Sequence, residues 1–133
     1  MNTTYKPSKL LWAAIVLCVL VLIAHELLGT PMVLPPLSAG DLPAEVVWLH
    51  HFSWHVGSIA IIAMIALFIL ATKKQDNLLM ATVATAMSFG FALLGVSLAI
   101  GGDKALLGTP APYAWCIVAI IGSLGIIRSR RME

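Results

Sequence analysis

Polar and charged residues fall in short clusters, and long apolar runs separate them. The runs cover Leu10–Leu28, Leu49–Thr72, Leu78–Ile100 and Pro112–Ile127. Crossing the hydrocarbon of a bilayer takes about 20 mainly apolar residues. A spanning segment must satisfy its backbone internally, so each run predicts a helix. Asp41 before Leu42 and Pro43 reads as a helix N-cap with proline in the first turn. The second helix is therefore expected to cover 42–72, beside helices at about 10–28, 78–100 and 112–127. The expected fold is all-α: a bundle of four transmembrane helices forming one integral membrane domain over residues 1–133.

Composition agrees. Of the 133 residues, 60% are hydrophobic and 11% charged, more apolar surface than one soluble core of this size could hide. Charge adds an orientation. Lys6 and Lys9 precede the first run, Lys73 and Lys74 separate the second and third, and Arg128, Arg130 and Arg131 follow the fourth. Only Lys104 lies on the opposite side. The positive-inside rule then puts both termini in the cytoplasm. The small compact architecture points to a bacterial inner membrane. The net charge of +2 is spread over three short segments and is a topology signal, so nucleic acid is not an expected partner. The first run lacks a small-residue cleavage site and reads as a retained signal anchor. Cys18 and Cys116 lie at depths roughly 9 Å apart, too far for a disulfide.

The segment from Gly29 to about Val46 holds four prolines and reads as an apolar loop over the bundle mouth. Small residues at Ala81, Thr85, Ser88, Ala92, Gly95 and Ala99 form a heptad seam, which predicts close packing of the third helix near the bundle centre. Leu27-Leu28-Gly29-Thr30-Pro31 recurs as Leu106-Leu107-Gly108-Thr109-Pro110. The repeat is read as two similar helix exits.

The chemistry is concentrated at one place. His25 and Glu26 close the first run, and His50, His51 and His55 open the second, so all four histidines meet one membrane face. Ionisable groups at the edge of a bilayer core are functional candidates. His51 and His55 lie about 40° apart on one helical face and can grip one metal ion. His25 or Glu26 can complete the set, with the adjacent residue at its flank. His25, Glu26, His51 and His55 are thus the expected metal ligands, for Zn, Cu, Fe or Mn. A b-type haem would need His25 to face His51 or His55 across the bundle. His50 points along a different flank and is expected to be a bystander.

Three functions fit. One is a subunit holding a transition metal or redox cofactor within a larger membrane assembly. The second is an accessory subunit whose histidines only lock helices. The third is a proton-coupled transporter using Glu26. In architecture the chain resembles the small multidrug transporters, short four-helix proteins with a Glu in the first helix, and that resemblance implies the coupling role for Glu26. Here Glu26 stands at the helix end, and the strong basic bias implies one fixed orientation. No motif of an enzyme is present. The bilayer is the expected partner, with a second copy or a membrane complex. If the topology is right, reporter fusions at the C-terminus and within 73–77 will report the cytoplasm and a fusion near Ser38 the opposite side. A C-terminus on the far side would reverse the placement of the histidines.

Overall fold

A computed structural model describes residues 5–131. Helix α1 spans Lys9–Ala24 and runs into one wide π-helical turn, His25–Gly29, which continues as α2, Thr30–Ala39. The chain then reverses into α3, Ala44–Ala71, followed by α4, Leu78–Gly101, and α5, Ala111–Arg130. Single 3-10 turns at Gln75–Asn77 and Lys104–Gly108 fill the last two connections. Among the described residues, four helical runs are long and apolar enough to cross a membrane: Lys9–Ala39, Ala44–Ala71, Gln75–Gly101 and Ala111–Arg130.

The first run corrects the expected loop. Residues 30–39 are helical despite Pro31, Pro35 and Pro36. Proline lacks an N–H and its ring crowds the carbonyl one turn back. Pro31 falls in the first turn of α2, where no donor is needed. The wide turn before it makes room for its ring, and the Thr30 N–H reaches back five residues to the His25 carbonyl. Asp41 is not the cap of α3 either. Pro43 takes that position, and its carbonyl accepts from the N–H groups of Val46 and Val47.

The helices form a ring in which each neighbour runs antiparallel: α1 beside α3, α3 beside α4, α4 beside α5, and α5 beside α1. The basic ends are level. The Ser129 hydroxyl accepts from the Ser8 N–H at 3.0 Å, and the Tyr5 hydroxyl donates to the Ala71 carbonyl at 3.0 Å. Burial pushes the Tyr5 phenol above its ordinary range, with the Ser129 hydroxyl acting weakly the other way, so Tyr5 remains a donor. The core lies toward this end, around Leu11, Ala14, Cys18, Met64, Phe68 and Val118. Both cysteines are free.

The seam on α4 is buried at Ala81, Thr85, Ser88, Ala92 and Ala99. It makes α4 one side of the ring, packed most closely on α5, rather than a central helix. Gly95 lies against Pro112, and Gly122 lies against Thr85 and Phe68. On α1, Leu11 fits over Gly125. Small residues let these helices approach where lipid supplies no hydrophobic drive.

The two hairpins differ in length. At about 1.5 Å per residue, the Lys9–Ala39 run of 31 residues is about 46 Å long, against about 30 Å for the 20 residues of α5. With level basic ends, α2 and the first third of α3 extend past the end of α5. There α2 packs chiefly on the π turn and α3, and residues 40–46 are all exposed.

A β-carbon on Gly122 would lie 2.5 Å from Thr85 Oγ1 and 3.2 Å from Phe68 Cζ. Gly122→Ala should therefore destabilise the bundle by about 1–3 kcal/mol through overpacking. Gly90 has nothing within 4 Å, so Gly90→Ala should be neutral or slightly stabilising, by less than about 1 kcal/mol. Thermal unfolding in detergent separates the two, and equal midpoints would remove α5 from the seam.

Candidate site at the far end of the first hairpin

The π turn places two adjacent side chains, His25 and Glu26, toward α3 together. An α-turn separates successive residues by about 100°, and the extra residue in a π turn narrows that angle. Gly57 on α3 leaves ordinary contact room for the His25 ring. That ring stacks on the Trp54 indole, with centroids 4.1 Å apart and planes at 11°. Its Nε2 meets the Trp54 carbonyl at 3.2 Å. His25 is a clamp between two helices.

Glu26 is the hub of the polar groups. Its Oε1 accepts from the Ser58 hydroxyl, and its Oε2 lies 3.3 Å from the Thr30 hydroxyl. Thr30 accepts in turn from the Trp54 indole N–H at 2.8 Å. The Thr30 hydroxyl proton has a second acceptor in the His25 carbonyl at 3.4 Å. His55 brings Nδ1 to 3.6 Å from Glu26 Oε1. Ser58 is buried, Glu26 is half-buried and His55 is exposed. The carboxylate is thus held by two hydroxyls and stands behind one imidazole. At 3.6 Å the His55 contact is longer than a hydrogen bond, so the two hydroxyls are what fix the carboxylate.

His51 joins a different pair. Its Nε2 lies 3.2 Å from the Ser38 hydroxyl near the end of α2, and its ring tilts against Trp48 at 5.0 Å. The Ser38 hydroxyl also lies 3.0 Å from the Leu34 carbonyl. His50 turns back to the Val46 carbonyl of its own helix at 2.9 Å, as a bystander would.

Between α2 and α3 lies an open groove of about 420 Å³. Pro31, Leu34 and Pro35 form its apolar wall. The polar lining is Thr30 and Ser38 from the first run and His51 and His55 from α3. Leu34 is the one residue of α2 that is buried.

Of the four residues expected to share a metal, only Glu26 and His55 come together. His25 is engaged by Trp54 in ring face and in Nε2, so it does not face His51 or His55 as a haem ligand would. Among the described residues, no group of three His, Cys, Asp or Glu side chains is disposed to hold a metal ion. Sequence reasoning missed Thr30, Ser38 and Trp54. The signal was available for Thr30, which stands four residues after Glu26 and so one turn away. A tryptophan near a helix end is what an aromatic belt at the membrane interface would show, and nothing in the sequence says that the Trp54 N–H meets Thr30. No protein-family model, curated protein or solved structure matches this chain.

The two copies of the Leu-Leu-Gly-Thr-Pro repeat provide a matched test. A β-carbon on Gly29 would lie 2.8 Å from Trp54 Cζ2, while one on Gly108 would meet nothing within 4 Å. Gly29→Ala should displace the indole and break its bond to Thr30, lowering stability by about 1–3 kcal/mol. Gly108→Ala should leave the melting temperature and the tryptophan emission unchanged. Equal effects would show that the Trp54 contact does not hold the π turn.

Proposed function

We propose that this chain is a small membrane-embedded binding protein, a subunit of a larger membrane assembly. Its groove between α2 and α3 takes a lipid-soluble ligand. The observation that carries this reading is the coincidence of an open, largely apolar groove with two imidazoles in its wall, His51 and His55, the second of them backed by the Glu26 carboxylate. A helix lock alone needs His25 and Trp54, which already join the two helices. It does not need His51 and His55 lining a space. Ligand sites are concave and mainly apolar with a few placed polar groups, and this groove has that composition. The basic-residue bias supports an orientation with the groove on the outer side of the membrane.

In this reading His55 meets the bound ligand with Glu26 behind it, and Thr30 and Ser58 keep the carboxylate aimed. His51 and Ser38 contact the ligand further along the groove. The transporter reading uses the same Glu26 and differs in requiring proton flux across the bilayer.

Mass spectrometry of organic extracts from the protein purified in mild detergent tests the proposal. Wild type should carry a lipid-soluble molecule at close to one per chain. Pro35→Phe, which puts a ring into the groove from an exposed position, should carry little of it while melting at a similar temperature. Equal extracts from the two proteins would refute the groove as the site. Proton flux in liposomes holding the protein alone, abolished in Glu26→Gln, would favour the transporter instead.

A further inference from the structure

The basic end of the bundle, away from the groove, carries charge that the chain does not balance. Lys6, Lys9, Lys73, Lys74, Arg128 and Arg130 are all exposed there, and Arg131 follows them. Against these seven cations the sequence sets two acids nearby, Asp76 and Glu133. None of the seven makes an ion pair with a carboxylate among the described residues.

Hydrogen bonds between the level helix ends gather these charges. Tyr5 donates to the Ala71 carbonyl at the end of α3, which brings Lys6 to the turn that carries Lys73 and Lys74. The Ser8 N–H donates to Ser129 near the end of α5, which brings Lys9 to the turn that carries Arg128 and Arg130. Residues 5–8 thus tie the start of α1 to both of its neighbours and bring cations from three separate stretches of sequence to one level. Like charges so gathered repel one another, and an anion among them turns the repulsion into attraction.

Depth and polarity narrow the kind of anion. Within a turn of a cation along the chain, Trp12, Leu70 and Ile127 are exposed apolar side chains. Helix α5 has 20 residues and so is about 30 Å long, the thickness of a hydrocarbon slab, and its last turn holds the arginines. The cations therefore stand at the level of lipid phosphates, with the apolar side chains at the level of the acyl chains. Long basic side chains reach such phosphates while their methylene stems stay in hydrocarbon. A soluble anion would lose its free motion on binding, whereas a lipid anchored at this depth has already lost most of it and is present at high local concentration. A zwitterionic headgroup carries its own ammonium beside the phosphate, so a net anionic headgroup gains more.

We propose that the basic end binds anionic phospholipid. Its phosphates lie among Lys6, Lys73 and Lys74 on one side and Lys9, Arg128 and Arg130 on the other, and its acyl chains lie against Trp12 and Ile127. This site is independent of the groove.

Trp12 is the tryptophan at this end, since Trp48, Trp54 and Trp115 belong to the opposite halves of their helices. The test places the full chain in phosphatidylcholine bilayers with a rising share of phosphatidylglycerol, or of phosphatidylcholine, whose brominated acyl chains quench tryptophan on contact. Quenching that is lost in Trp12→Phe belongs to Trp12. In that share phosphatidylglycerol should be preferred by about fivefold at low salt, the contribution of one basic residue near an anionic surface. The preference should shrink toward parity at about 0.5 M salt, where exposed charges are screened. Arg128→Gln with Arg130→Gln, and Lys73→Gln with Lys74→Gln, should each cut the preference to about half or less. Lys104→Gln at the far end should leave it unchanged, and Asp76→Asn should not lower it. Unchanged melting checks the folding of each variant, and the salt series needs wild type alone. Equal quenching by the two lipids in wild type, or a preference that survives both double substitutions, would overturn the proposal. Inorganic phosphate added at constant ionic strength should have no effect. If it abolishes the preference, the cations form a site for a soluble anion and the lipid assignment falls.

Discussion

The architecture of the far end depends on the approach of Gly29 to the Trp54 indole. The absence of a side chain at residue 29 lets the wide turn lie directly against α3. In that position the indole N–H reaches Thr30 and its face covers His25. Both contacts fix the turn, and the turn aims Glu26 at Ser58 and His55. A π turn is a rare conformation that leaves α-helical hydrogen bonds misaligned, and it persists where surrounding contacts over-determine it. Here those contacts are an aromatic stack, an indole hydrogen bond and a carboxylate held by two hydroxyls. The same local device also solves the problem of Pro31, since the chain can continue as helix beyond a residue that would otherwise break it.

A second constraint is the unequal length of the two hairpins. Because the basic ends are tied together through Ser8, Ser129, Tyr5 and Ala71, all the excess length of the first hairpin emerges at the other end. The α4–α5 pair is close-packed through glycine, alanine and threonine and supplies a rigid flank. It ends too early to cover α2. The core and the groove therefore divide along the axis: tight apolar packing toward the basic end, and polar side chains around an open space toward the far end. The proline rings of α2 contribute to that space, since they are short and stiff and cannot reach across to α3.

The histidines divide in the same manner. Four imidazoles in one sequence neighbourhood turn out to have four different partners: an indole, a serine, a carboxylate and a backbone carbonyl. Only His55 pairs with an ionisable group. The metal set expected from spacing needs three ligands at one point, and the structure brings only Glu26 and His55 together, with His51 about one turn further along α3 at Ser38 and His25 held by Trp54. Sharing a helical face is necessary for such a site but does not bring side chains to a common centre.

Composition and hydrophobic runs determined the helical class and the four spans, because lipid leaves a spanning backbone no other way to satisfy its polar groups; the small-residue stripe marked the buried face of α4, and only the structure made α5 its main partner. The Leu-Leu-Gly-Thr-Pro repeat marks the limit. One copy is a π turn running into helix, with Thr30 helical, and the other is a 3-10 turn ending in extended Thr109. The five residues are identical, so their local preferences are identical. The difference comes from Trp54, which holds Thr30 in the first copy, while in the second Thr109 folds back on the Leu106 carbonyl. That choice, and with it the helix in place of a loop, the pairing of Glu26 with His55 and the groove itself, rests on a side chain 24 residues away, and only the tertiary structure decided it.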